Sequence, residues 1–146
     1  MPFTHTRRVE FHETDMAGIA HFANFFRYME AAEHAYLRAC GLSVVLPWEG
    51  QLLGFPRVSA SCDYLKPIRF EQEMLIHVRV EKIGRTSISY GFTFTHSDEK
   101  IAEGRLTAVL CRKTADERLE PLEIPAALRE RLLAGPNPAT PYHPAY

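Results

Sequence analysis

An aspartate in a turn just ahead of a helical pattern is the feature of this sequence with the clearest chemistry. Asp15 opens the stretch Asp15-Met16-Ala17-Gly18, and Gly18 can take the positive φ that a tight turn requires. A helix beginning near Phe22 would present unpaired N–H groups and the positive end of its dipole. Those groups would stabilise an oxyanion developing on a substrate carbonyl, while the Asp15 carboxylate activates water or attacks directly. An ordinary turn or capping role for Asp15 is the alternative, because Asp is common at such positions.

Few other polar residues form a recognisable catalytic pattern. His21 can orient the substrate or Asp15, or it can be a half-buried polar residue at a helix start. The seven histidines include no HExxH motif and no paired metal-ligand spacing, so we predict no metal site. The sequence also has no Gly-x-Ser-x-Gly motif and no glycine-rich phosphate loop, and we predict no cofactor.

One long helix must position these groups. Apolar residues recur at three- and four-residue steps at Phe22, Phe25, Phe26, Met29, Ala32, Tyr36 and Cys40. Further apolar residues widen this face, so we expect the helix to be buried on most sides. Gly41 then stands where a left-handed C-terminal cap is favoured, which ends the helix.

Five segments are predicted to be strands, and the rest of the chain reads as turns or short irregular stretches. The strand segments are residues 3–12, 57–65, 74–80, 88–94 and 101–111. Residues 83–86 are predicted to form a hairpin connection, and residues 43–54 look irregular. Pro125 opens a short amphipathic segment, and the proline-rich residues 136–146 are predicted to be poorly ordered.

The predicted order is one strand, one long apolar helix and four strands in antiparallel succession. A five-stranded antiparallel sheet must wrap around a single apolar helix to cover it, which is the hotdog architecture of the α+β class. The chain has 146 residues, the usual size of one domain, so we predict a single domain over residues 1–146.

Composition narrows the class of protein further. The formal net charge of −1 and the pI near 6.7 argue against a nucleic-acid-binding protein, which would show a basic stripe. No apolar run approaches the roughly 18 residues of a membrane-spanning helix, and no secretory signal is seen at the N-terminus. The three cysteines are far apart and odd in number, which favours buried free thiols and a cytoplasmic location.

The segment from residue 8 to residue 42 resembles the 4-hydroxybenzoyl-CoA thioesterase family, which includes the Tol-Pal-associated acyl-CoA thioesterases. The residues that match in register are Asp15, Ala17, Gly18, Ile19, His21, Asn24 and Phe25. Residues 62–70, 84–88 and 102–109 are similar to later segments of the family, so the resemblance covers about residues 5–130.

The resemblance implies roles for individual residues. Asp15 matches the catalytic aspartate, and the backbone N–H of Phe22 matches the amide that polarises the thioester carbonyl. His21 matches a position often held by His in short-chain acyl-CoA members, and we include it among the catalytic candidates. Glu30 lies where the hydroxybenzoyl-specific enzyme has a carboxylate facing the acyl group, and Asn24 is also predicted to contact substrate.

One residue departs from the family pattern. Phe25 stands where a Tyr is usual, which removes a hydroxyl and alters the predicted acyl pocket. Coenzyme A needs cations for its phosphates, and the candidates are Lys66, Arg69, Arg85 and Arg112. Arg85 and its neighbour Thr86 are the first choices, and Lys66 is also a predicted contact.

The resemblance also implies a homodimer or homotetramer, with the active site between two chains and the sheet edges paired. The predicted activity is therefore hydrolysis of an acyl-CoA or aroyl-CoA thioester. A dehydratase of the same fold and a non-catalytic acyl-thioester-binding protein are the alternatives. The sequence leaves open the acyl specificity, CoA or acyl-carrier-protein as the thiol, and water activation or a mixed anhydride.

Overall fold

The computed structural model describes residues 2–144. In chain order its elements are β1 (Phe3–Arg8), a 3-10 turn (Phe11–Glu13), α1 (Asn24–Ala39), β2 (Leu46–Trp48), β3 (Gln51–Gly54), β4 (Arg57–Tyr64), β5 (Glu73–Ile83), β6 (Ser87–His96), β7 (Glu99–Val109), β8 (Cys111–Lys113), β9 (Leu119–Pro121) and α2 (Ala126–Ala134).

The main sheet is antiparallel and carries the core on the face that meets α1. Its strand order is β1-β5-β6-β7-β4, which leaves β1 and β4 at the two edges. Alternate residues of the neighbouring inner strands β5 and β6 are fully or nearly buried, as predicted from their period of two. They are Met74, Ile76, Val78, Ile88, Tyr90, Phe92 and Phe94. Burying a side chain of this size stabilises the fold by roughly 1.5–3 kcal/mol.

A second antiparallel sheet, in the order β2-β3-β8-β9, was not predicted. The interpretation of residues 43–54 as irregular is wrong, because Leu46 pairs with Leu53 and Trp48 with Gln51. The predicted strand over residues 101–111 is in fact split at Leu110, whose N–H donates to the Thr86 carbonyl at 2.8 Å. The predicted single sheet with one helix is thus incomplete.

The first predicted strand also ends earlier than expected. β1 stops at Arg8, and the chain turns through the 3-10 segment Phe11–Glu13. The Glu13 side chain accepts a hydrogen bond from the Glu10 N–H at 2.8 Å, which closes a capping box and stops the extended run.

Helix α1 begins at Asn24 rather than at Phe22, and it is buried on one side only. Its buried residues are Phe25, Tyr28, Met29, Ala32, Glu33, Tyr36 and Leu37. Phe22 and Phe26, which were predicted to share that face, are 61% and 38% exposed. The predicted end is confirmed: Gly41 has φ +72°, and Leu42 N–H donates to the Leu37 carbonyl at 2.7 Å, as in a Schellman motif.

A buried ion pair joins the middle of α1 to the start of β4. Glu33 is fully buried, and both of its oxygens accept hydrogen bonds from the Arg57 guanidinium, one of them at 2.9 Å. Glu30 lies 3.5 Å from the same guanidinium. Burial raises the pKa of Glu33 to about 7, although Arg57 opposes the shift.

A glycine in β7 makes room for the core of α1. A Cβ on Gly104 would overlap the sulfur of Met29, a residue that is 1% exposed. Gly104→Ala is therefore expected to lower the free energy of unfolding by roughly 1–3 kcal/mol, measured by urea denaturation. Gly54→Ala in β3 is the matched control, because a Cβ there has no atom of residues 2–144 within 4 Å. Equal losses in the two variants would contradict this account of Gly104.

The C-terminal part of the chain packs back onto the main body. Leu128 and Leu132 of α2 enter the core, and the Asn137 N–H donates to the Ala39 carbonyl at 3.0 Å. The poor order expected of residues 136–146 stays a prediction, and residues 145 and 146 lie outside the described residues. Cys40 and Cys111 are buried free thiols, as predicted, whereas Cys62 is half-buried.

Candidate active site

Asp15 holds its own turn with one carboxylate oxygen. Its Oδ1 accepts the Ala17 N–H at 2.8 Å, and its backbone N–H donates to the Ile19 carbonyl at 2.9 Å. Gly18 has the positive φ predicted for it, +78°. The other oxygen, Oδ2, has no hydrogen-bond partner among residues 2–144. The turn role and a chemical role are therefore compatible, since each uses a different oxygen.

The Asp15 turn is fixed to the segment that precedes β5. Ala20 N–H donates to the Ile68 carbonyl at 2.8 Å, and Ile19 forms an isolated antiparallel bridge with Arg69. The Arg69 guanidinium also donates to the Gly18 carbonyl at 3.4 Å. These contacts join a turn near the N-terminus to a segment about 50 residues away in the sequence.

The carbonyl of Glu13 ties the start of α1 to the same turn. It accepts the His21 N–H and the Asn24 side-chain amide, each at 2.8 Å. Glu13 itself is buried, and its carboxylate is bonded by Arg7. Sequence reasoning did not single out Glu13. The sequence predicted a substrate contact for Asn24. In the structure the Asn24 side-chain amide donates its hydrogen bond to the backbone carbonyl of Glu13.

The backbone amide of Phe22 is free at the end of this turn. No acceptor within the described part of the chain bonds its N–H, while its carbonyl accepts the Tyr64 hydroxyl at 2.9 Å. His21 stacks on the Phe22 ring at 4.7 Å between centroids, and its Nδ1 accepts the Ala23 N–H at 3.2 Å. Because an N–H can only donate, Nδ1 is unprotonated in this arrangement. His21 thus contacts the start of α1 through Nδ1 and is not among the residues that line the cavity described next, and its catalytic role stays a prediction.

A cavity of about 440 Å³ brings Asp15 and Phe22 together. Its lining is Asp15, Ile19, Ala20, Phe22, Phe25, Tyr64, Leu65, Lys66, Pro67 and Ile68. Phe25 is buried and meets Tyr64 and Phe94 edge to face, with ring centroids 5.2 and 5.3 Å apart. The lining is thus mostly apolar, and Asp15 and Phe22 both contribute to it.

The predicted CoA contacts do not all lie at this cavity. Lys66 lines it, and its Nζ is 2.6 Å from Glu99 Oε2. Arg85 and Thr86 lie beyond the far end of β7: Thr86 is eight residues, or roughly 26 Å along the strands, from the level of Ala102, which pairs with Tyr64. Glu30 is exposed and does not line the cavity.

Tyr64 is the lining residue of most interest that sequence reasoning missed. It stands in residues 62–70, a segment that carries the family resemblance, yet only the cations Lys66 and Arg69 were selected from it. Its hydroxyl reaches Phe22, 42 residues earlier in the chain, so only the fold shows the contact.

The described residues add two negative observations. Residues 2–144 include no group of three or more His, Cys, Asp or Glu side chains placed to hold a metal ion. Over the same range, neither helix has the length and apolar character needed to cross a membrane.

Comparison with known proteins decides the family. The family model of the thioesterase superfamily matches residues 17–103, which covers most of the site just described. The chain belongs to the thioesterase superfamily. This thioesterase is 30% identical to a 1,4-dihydroxy-2-naphthoyl-CoA hydrolase of Nostoc punctiforme over 76% of its own length and 74% of that protein.

Two further relatives agree with this assignment. The thioesterase is 28% identical to the 4-hydroxybenzoyl-CoA thioesterase of Pseudomonas sp. (strain CBS-3), over 84% of its own length and 92% of that enzyme. A solved gentisyl-coenzyme A thioesterase has 26% identity and a TM-score of 0.77, with 87% of this chain and 99% of that one covered. The thioesterase therefore has the α+β hotdog fold of these neighbours.

Proposed function

We propose that this thioesterase hydrolyses an acyl-CoA or aroyl-CoA thioester to the free acid and coenzyme A. The observation that carries the proposal is that Asp15, with one carboxylate oxygen unbonded, and Phe22, whose N–H has no acceptor among residues 2–144, line the same mostly apolar cavity. The related enzymes named above act on hydroxylated aroyl-CoA thioesters, which supports an aromatic acyl group here.

The Phe22 amide serves as the oxyanion donor. A thioester carbonyl laid against this N–H at the start of α1 would meet a donor that bonds nothing else in the described structure. The helix dipole adds positive potential at the same end. Negative charge that develops on the carbonyl oxygen is therefore stabilised where it forms.

Asp15 Oδ2 acts as general base in the first of two routes. Water gives a proton to Oδ2 while its oxygen bonds the acyl carbon, and the carbonyl electron pair moves onto the oxygen beside the Phe22 amide. Collapse re-forms the carbonyl and breaks the C–S bond. The CoA thiolate leaves and takes up the proton from Asp15.

Direct attack by Asp15 is the second route. A carboxylate oxygen bonds the acyl carbon and displaces the thiolate, and water then hydrolyses the mixed anhydride to the acid and free Asp15. Either route needs Oδ2 free of other partners, as it is among residues 2–144.

A homodimer would complete the site through β4. This edge strand is exposed at Val58, Ser59, Ala60 and Ser61, and within residues 2–144 of one chain only β7 pairs with it. A second β4 added antiparallel would set the Arg57 end of one strand beside the Tyr64 end of the other. Arg85 and Thr86 of one copy would then approach the Asp15 cavity of the other. A tetramer and a cytoplasmic location stay predictions.

Hydrolysis is tested by free-thiol release from a panel of short-chain, long-chain and aromatic acyl-CoA thioesters. We expect selective cleavage, with aromatic acyl groups among the better substrates. If no acyl-CoA is cleaved although CoA thioesters bind, the catalytic proposal fails and the binding-protein alternative takes its place.

Tyr64→Phe is expected to lower kcat/KM by about fivefold, because it removes one hydrogen bond to the Phe22 carbonyl while keeping the ring in the cavity wall. The measurement is steady-state thiol release with the best substrate of the panel. Tyr142→Phe is the control, since this exposed hydroxyl bonds no other described residue. An unchanged kcat/KM in Tyr64→Phe would show that the hydroxyl does not position the amide.

A further inference from the structure

The hairpin between β5 and β6 has its backbone carbonyls bonded by the C-terminal part of the chain. The carbonyls of Ile83 and Gly84 accept the Arg129 guanidinium at 3.2 and 2.8 Å. The next two carbonyls, of Arg85 and Thr86, accept the backbone N–H groups of Ile124 and Leu110 at 2.9 and 2.8 Å. Residues 110–129, which supply all four donors, are called the C-terminal segment below. Four successive carbonyls are thus held by residues 110–129.

This arrangement fixes the direction of the hairpin amides. The C=O and N–H of one peptide unit point in opposite directions. Because the Gly84 and Arg85 carbonyls face the C-terminal segment, the Arg85 and Thr86 N–H groups face away from it. Neither N–H has an acceptor among residues 2–144, and the Arg85 side chain is 75% exposed. The donors of the hairpin are therefore presented on one outward side.

Helix α2 provides a firm base for Arg129. Ile124, Leu128 and Leu132 are at most 3% exposed, so the segment that carries the guanidinium is anchored in the core. Arg129 itself is half-buried against the hairpin. All these residues follow position 103, where the match to the family model ends.

We propose that Arg129 is a positioning residue that sets the hairpin for recognition of the substrate's phosphate groups. The proposal rests on the proposed function, in which Arg85 and Thr86 contact coenzyme A. Arg129 does not touch the substrate; it bonds two carbonyls of the loop that does. Loss of those bonds lets the Ile83–Thr86 backbone rotate and moves the outward donors away from the phosphates.

The test compares two substrates with the same acyl group. One is the acyl-CoA, and the other is the N-acetylcysteamine thioester, which has no phosphate. We expect Arg129→Gln to raise KM for the acyl-CoA by roughly fivefold to tenfold, with kcat and the KM for the truncated thioester unchanged. Arg129→Lys, which keeps a cationic donor, should recover part of the loss.

Arg131→Gln is the matched control on the same helix. Its guanidinium also donates to two carbonyls, those of Cys40 and Gly41, at 3.2 and 2.7 Å, but these lie at the end of α1. We expect a similar loss of thermal stability in the two variants and an altered acyl-CoA KM only in Arg129→Gln. A rise in KM for both substrates, or an equal effect of Arg131→Gln, would overturn the proposal.

Calorimetric titration with coenzyme A alone separates this inference from the proposed function. We expect Arg129→Gln and Arg85→Gln to weaken CoA binding by similar factors, whether or not the wild type turns over. Unchanged CoA affinity in these variants would contradict the positioning role of Arg129 but would not contradict the proposed thioester hydrolysis. If the wild type hydrolyses no thioester while the variants bind CoA more weakly, the proposed function is wrong but the positioning role of Arg129 is supported.

Discussion

Asp15→Asn is expected to lower kcat for thioester hydrolysis by about 10²–10⁴-fold, because the amide can neither accept the proton of water nor attack the acyl carbon. Asn keeps an Oδ1 that can accept the Ala17 N–H, so the turn of residues 15–18 should survive. Substrate affinity should therefore change little. The measurements are single-turnover thiol release and the dissociation constant of a non-hydrolysable acyl-CoA analogue.

Asp98→Asn is the control for this substitution. Asp98 is exposed in the β6–β7 turn with φ +63°, a conformation that Asn also tolerates. We expect wild-type activity in that variant. A decrease in kcat of less than fivefold in Asp15→Asn would show that Asp15 takes no part in the reaction and serves only to form the turn.

Arg57→Gln is expected to destabilise the protein strongly at pH 8 and only weakly at pH 5. At pH 8 the buried Glu33 carboxylate would lose its charged partner, and breaking such a pair costs roughly 3–5 kcal/mol. At pH 5 Glu33 is already protonated in the folded chain, because burial raises its pKa to about 7. Urea denaturation at the two pH values measures the difference.

The same carboxyl gives the wild type a defined pH dependence. Its pKa rises from 4.5 to about 7 on folding, so between these values the folded chain binds more protons than the unfolded chain. The free energy of unfolding from this group therefore falls as pH rises through that window, by on the order of 3 kcal/mol. The pH profile of the free energy of unfolding is measured for the wild type and for Glu33→Gln, and their difference gives the contribution of Glu33. This subtraction removes the contributions of His5 and His34, whose lowered pKa values make stability rise with pH.

Arg112→Gln is the control for the ion pair. Arg112 lies 3.1 Å from Glu120, and these two side chains are 43% and 50% exposed. Such a pair contributes at most about 1 kcal/mol, so we expect little change at either pH. An equal cost of Arg57→Gln at pH 5 and pH 8 would show that Glu33 does not titrate as described.

Periodicity predicted the core elements well because each repeats a simple pattern. The buried alternation of β5 and β6 and the glycine cap of α1 follow from spacing and from one positive φ. The second sheet was not predicted because β2, β8 and β9 have three residues each, too few to show a period. Pro47 within β2 also reads as a break.

Residues of the candidate cavity were selected from the sequence where they are close together in the chain, and Tyr64 was missed because its contact with Phe22 is not local. Asp15 and Phe22 share one connection, so their motif could be read directly. Glu30 and Asn24 were placed on substrate, yet the structure gives them contacts with Arg57 and with the Glu13 carbonyl. A helix position indicates a face, but the partner across it depends on packing that no spacing encodes.

The short connection that holds Asp15 and Phe22 also separates two kinds of change during evolution. Its turn is closed by its own hydrogen bonds and by the Glu13 and Ile68 carbonyls, whereas the exposed residues Leu65 and Pro67 form another wall of the cavity. Under the proposed function, substitutions of these two side chains would reshape the space for the acyl group while the Asp15 turn keeps its hydrogen bonds. Under that function, new substrate preferences could arise by single substitutions that leave Asp15 and Phe22 in place.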